Sequence, residues 1–102
     1  RIMNDTQIKT LIEEIRGEQH ITPFEKDEVL QSYIKEAEYD INKSSGTEID
    51  YETDLKARSL LKNYVLYCRF GRLAEFKQLY VGEYANLQAE YYKPSNIQWR
   101  FF

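Results

Sequence analysis

This sequence predicts an all-α fold, and three observations predict it. Apolar residues recur three and four apart along most of the chain. Breaker residues fall between those runs, and segments of alternating hydrophobicity are nearly absent. The runs read as a small four-helix bundle with a long loop between helices two and three and an extended aromatic C-terminal tail. Residues 1–92 are assigned to the helical domain and 93–102 to the tail, a docking arm.

The first helix is marked by Ile8, Leu11, Ile12 and Ile15, which share one face. Asp5 or Thr6 is expected to cap its start and Gly17 to stop it. A connection with Thr22-Pro23 follows, since proline lacks the donor a helix interior needs. The second helix is expected to begin near Glu25 to Asp27, where acids oppose the positive helix end. Its stripe is Val29, Leu30, Tyr33, Ile34, Ala37 and Ile41, and it is expected to end at Lys43, before Ser44-Ser45-Gly46. The segment from Ser44 to Tyr51 reads as a loop returning to the core through Ile49 or Tyr51.

The third helix is expected from Glu52 to Phe70, with Leu55, Leu60, Leu61, Tyr64, Val65 and Cys68 buried, and reads as the central helix. Glu52 with Lys56 and Asp54 with Arg58 have the spacing of i,i+4 pairs, each worth ~0.2–0.5 kcal/mol. Gly71 separates it from a fourth helix, Leu73 to Glu90, burying Leu73, Phe76, Leu79 or Tyr80, Tyr84 and Leu87. Pro94 stops that helix. Eleven of the fifteen aromatic residues lie from Tyr64 onward, more than so small a bundle buries. Tyr92, Ile97, Trp99 and Phe101 are therefore expected to dock on a partner, where aromatics are enriched; the competing reading folds the tail back onto its own bundle.

A length of 102 residues suits one domain. No stretch approaches the ~20 apolar residues of a membrane span, and no signal-peptide core is visible. Met3 is the only methionine, which leaves the natural start open. Cys68 is the only cysteine, so an intrachain disulfide and a cysteine zinc cluster are excluded, and synthesis in a reducing cytoplasm is expected. The net charge is −3, unevenly spread: residues 1–50 carry twelve acids and six bases, residues 51–102 five acids and eight bases. Lys62, Arg69, Arg72 and Lys77 are candidate inter-subunit bases that meet the acidic side of another copy; the plainer reading is a solvated helix face.

Nothing in the sequence points to catalysis. A nucleophile needs a base within hydrogen-bond reach, and His20, the only histidine, stands in the first loop with no second histidine at ligand spacing. Cys68 falls on an apolar stripe and reads as core. The adjacent acids Glu13-Glu14 and Asp27-Glu28 point to different faces, and the four glycines are scattered rather than gathered in a phosphate loop. No catalytic residue, metal or cofactor is expected. DNA binding through the third or fourth helix is the alternative, with the sequence pI of about 5.2 against it.

The helical pattern resembles the head–tail connector (head-completion or adaptor) family of long-tailed bacteriophages. The residues that carry the resemblance are Asp27, Leu30, Ile34, Ala37 and Ile41 in the second helix. In the third they are Ala57, Leu60, Leu61, Tyr64, Val65 and Tyr67, followed by the Gly71 break. Phe76, Tyr80 and Leu87 complete the set, and the match covers residues 5–90. The resemblance implies a virion structural protein, made in the bacterial cytoplasm and monomeric when free. After DNA packaging it assembles under the portal into a ring, expected to be twelvefold, which extends the DNA channel and receives a stopper or tail-completion protein. DNA passes without sequence-specific binding and no membrane is involved. A channel wall must not grip phosphates, so Glu36, Glu38, Asp40 and Glu48 are candidate channel-facing acids, with ordinary solvated acids as the competing reading.

Overall fold

The structure, a computed structural model, describes residues 2–92. It is all-α, and among the described residues there is no strand. Helix α1 spans Asp5–Glu18. Its cap is Asn4, not Asp5 or Thr6: the Asn4 side chain accepts the Gln7 amide at 2.9 Å, and the Gln7 side chain accepts the Asn4 amide at 2.9 Å. Gly17 lies inside the helix rather than ending it. The stop is made three residues later, where His20 takes the left-handed conformation (φ 53°) and the Ile21 amide closes onto the Arg16 carbonyl at 3.1 Å.

Helix α2 spans Asp27–Ser45, two residues beyond the expected end, and is closed by Gly46 at φ 82°. The connection before it is held by Arg16, which donates to Asp27 Oδ1 through Nε (3.1 Å) and to the Thr22 and Glu25 carbonyls. Val29, expected in the buried stripe, is exposed in the first turn, while Leu30 beside it is fully buried. The loop that follows returns to the core through both Ile49 and Tyr51. Asn42 fixes it, accepting the Tyr51 hydroxyl at 2.7 Å and the Ile49 amide at 3.2 Å on one oxygen.

Helix α3 spans Leu55–Arg69 and starts later than expected, because the Asp54 side chain accepts the Ala57 amide at 3.0 Å and caps it there. Leu55 is thereby left 69% exposed in the first turn instead of buried. At the far end Gly71 (φ 68°) lets the Arg72 amide reach the Tyr67 carbonyl at 2.8 Å. The expected fourth helix is two: α4, Leu73–Leu79, and α5, Val81–Glu90, divided at Tyr80. The expectation of four helices is corrected accordingly. Leu79 and Val81, on either side of the division, are both exposed.

The central element is α2, which packs against α1, α3 and α5, while α3 packs against α2 and α4. Leu30, Ile34, Ala37 and Ile41 of α2 meet Ile8, Leu11, Ile12 and Ile15 of α1 and Ala57, Leu60, Leu61, Tyr64 and Val65 of α3 in one core. The third helix is a major wall of that core but not its middle. Phe76 closes it: its buried ring lies 5.3 Å from Tyr64, 5.6 Å from Tyr67, 4.5 Å from Tyr80 and 6.2 Å from Tyr84, centroid to centroid. Such pairs add ~0.5–1.5 kcal/mol each beyond area burial, which seats α4 despite its two turns.

Candidate functional site

Helices α1 and α2 run antiparallel, and α2 and α3 likewise: Arg16 joins the end of α1 to the start of α2, and Arg69 joins the end of α3 to Glu25. One end of the bundle therefore gathers the α1–α2 connection and the α3–α4 turn. The other gathers the first residues of α1, the 46–54 loop and the end of α5, where the Tyr91 hydroxyl donates to Asp54.

The four candidate inter-subunit bases are paired within the chain. Lys62 reaches Glu14 at 2.6 Å and Glu18 at 3.0 Å. Arg69 grips Glu25 through two nitrogens at 2.7 and 3.0 Å and Gln19 at 2.9 Å, with its side chain buried. Lys77 meets Asp40 at 2.6 Å, and Arg72 meets Glu75 at 3.7 Å in the open. Arg58 also turns away from Asp54 to hold Glu14 and the Tyr51 carbonyl. With Arg58 as the first cause and Lys62 beside it, the Glu14 carboxyl is pulled down to about 2. The acidic and basic stretches of the sequence thus meet across α1 and α3 of one molecule.

The four candidate channel-facing acids do not share a face. Glu36 and Asp40 turn towards α3, where the Tyr64 hydroxyl donates to Asp40 at 3.0 Å, and burial is the main reason that phenol stays protonated. Glu38 points the opposite way, is 5% exposed and accepts the Met3 amide at 2.7 Å. Burial raises its carboxyl, outweighing the Met3 bond. Glu48 stands in the loop beside Glu38's cleft. Of the expected docking residues, Tyr92 is exposed, and Ile97, Trp99 and Phe101 lie outside the described residues.

The groups weighed for chemistry are separated. His20 serves the α1 stop. Cys68 is half-buried beneath the aromatic cluster, and burial pushes its thiol up to about 11, which keeps it a protonated core group. Among the described residues no group of three or more His, Cys, Asp or Glu is placed to hold a metal ion, and no helix is long and apolar enough to cross a membrane.

The structure assembles instead a cleft of about 680 Å³ between the start of α1, the second half of α2 and the loop. Ile2, Met3 and Ile8 form one wall and Tyr39, Asn42 and Lys43 the other, with Glu38 between them. Sequence reasoning missed it, although Glu38 falls four residues after Ile34 and three before Ile41, on the buried stripe. Large apolar side chains stand exposed at both ends: Phe24 (89% exposed) and Phe70 beside the Arg69–Glu25 pair, and at the other Leu55 and Tyr92 together with Ile2 and Tyr39 of the cleft. Comparison with protein-family models, curated proteins and solved structures gave no match.

Proposed function

We propose that this chain is a head–tail adaptor subunit of a tailed phage, which binds between two macromolecular partners and catalyses no reaction. The observation that supports it best is where charge and apolar surface lie. Lys62, Arg69 and Lys77 are paired with acids of the same molecule, whereas Phe24 and Phe70 at one end and Leu55 and Tyr92 at the other meet solvent. Large exposed aromatics mark protein contacts more than nucleic-acid contacts, which draw on free lysine and arginine. A subunit set between a portal and the next head-completion protein needs contact surface at both ends. An all-helical chain is compatible with such a subunit.

The test mixes the purified chain with the portal protein of the same genome and images the product. A ring of this chain seated on the portal is expected, together with weak retention of duplex DNA across a salt titration. Absence of a portal complex, or tight DNA binding that falls steeply with salt, overturns the reading; the latter outcome favours a DNA-binding accessory protein.

A further inference from the structure

We infer that the open face of α3 is a contact surface for a second copy of the chain, packed antiparallel about a two-fold axis at Lys62 and Asn63. The first reason is the surface itself. Leu55, Ser59 and Asn63 stand four apart in one row, and Lys62, Leu66 and Phe70 in the row beside it. Leu55 and Phe70 are 69% and 64% exposed, Ser59 is exposed and Leu66 is half-buried. A groove of about 520 Å³ follows this face, lined by Leu55, Ser59, Asn63 and Leu66, with Glu18 and Gln19 from the end of α1 at its edge.

The second reason is that the two rows fit each other. With one α3 turned end for end on another, Leu55 meets Phe70 of the second copy, Ser59 meets its Leu66, and Asn63 meets its Lys62. Each contact is made twice, as a two-fold interface requires. The exposed Leu55 and Phe70 cover each other, and the large Leu66 faces the small Ser59. A shift of one turn in either direction leaves Phe70 or Leu55 beyond the end of the opposing helix, which spans Leu55–Arg69.

The centre is polar and matched. Lys62 gives two of its three donors to Glu14 (2.6 Å) and Glu18 (3.0 Å), and Asn63 spends its amide nitrogen on the Ser59 carbonyl (3.1 Å). The third donor of Lys62 and the amide oxygen of Asn63 join across the axis. On the flank Lys56 falls opposite the Arg69–Glu25 pair, whose charges already cancel.

Fifteen residues make roughly 22 Å of helix, and one such pair buries less than the ~1,200–2,000 Å² of a stable complex. The dimer therefore forms between micromolar and millimolar concentration and parts on dilution. This inference stands apart from the adaptor reading, which is tested on the portal; a contact this weak yields Leu55 and Phe70 to a tighter partner.

Sedimentation equilibrium of the full chain should show an apparent mass that rises with concentration from one copy towards two and no further. Leu66→Glu should hold the chain at one copy with helicity unchanged. Leu55→Ser, at an exposed position, should move the rise to roughly tenfold higher concentration. In a Cys68→Ala chain carrying Ser59→Cys and Leu66→Cys, mild oxidation should give a linked dimer, because seven residues along one helix, about 10 Å, are too far apart to bridge internally. A mass that stays at one copy throughout overturns the inference. So does a rise that survives either substitution unchanged, a mass that passes beyond two copies, or a cysteine pair that fails to link.

Discussion

At the scale of single residues, two positions do work that their type alone does not announce. His20 holds a left-handed conformation (φ 53°) that costs a residue with a Cβ roughly 1 kcal/mol and glycine little. His20→Gly is therefore expected to raise stability by about 0.5–1 kcal/mol, read as a higher urea midpoint at unchanged slope; a lower midpoint would mean the imidazole makes a contact that outweighs the backbone relief. Glu14 is the second. Its carboxyl is held at about 2, against its usual 4.5, first by Arg58 and then by Lys62. A depressed carboxyl gives stability that is complete above about pH 4.5 and is lost as pH falls towards 2. Because Glu14 is about a third exposed, water screens the pair, and the contribution stays near ~1 kcal/mol or below. Thermal melts from pH 7 to pH 2.5 should therefore fall more steeply for the unaltered chain than for Glu14→Gln. Parallel curves would show that the cluster contributes nothing net.

At the scale of elements, the apolar period was legible and the punctuation less so. Ile8, Leu11, Ile12 and Ile15, and then Leu30, Ile34, Ala37 and Ile41, are buried as their spacing predicts, because burial is the signal that spacing carries. Gly71 is legible too, as a helix end at φ 68°. Gly17 has the same identity but sits mid-helix, with nothing within 4 Å of an added Cβ, and the chain turns at His20 instead. The difference is decided by where Ile21 packs on the core and by the Arg16 bonds to the connection, neither of which is a local property. The break at Tyr80 is of the same kind, for the Phe76 cluster fixes it. Opposite effects of one substitution follow. Gly17→Ala should stabilise by up to ~1 kcal/mol through helix propensity, whereas Gly71→Ala should destabilise by about that amount through strain. Equal signs in paired denaturation curves would contradict the assignment of the two glycines.

At the scale of the whole molecule, an uneven charge distribution along a sequence does not say whether it closes within one copy or between two. Here the contacts of Lys62 with α1, of Arg69 with Glu25 in the α1–α2 connection and of Lys77 with α2 close it within one, and those placements are tertiary, which no local pattern encodes. Apolar side chains stand exposed at both ends, and these ends can be tested separately. Phe24→Ser with Phe70→Ser removes two exposed rings at one end, at the expense of a surface cation–π contact from Arg69 (5.2 Å) worth ~0.5–1 kcal/mol. Leu55→Ser with Tyr92→Ser does the same at the other. Neither pair should lower the melting transition much, since exposed positions seldom matter by more than ~0.5 kcal/mol beyond such contacts. In a partnered state each buried aromatic anchor is worth ~2 kcal/mol or more, and repetition around a ring multiplies the loss. One pair should thus abolish attachment to the portal and leave recruitment of the next protein to the free subunit intact, with the other pair doing the reverse. Pull-downs with each partner separate the two. If both pairs disable the same contact, or neither disables any, the subunit does not bridge its partners through its ends, and the exposed rings are solvent-facing residues without a docking role.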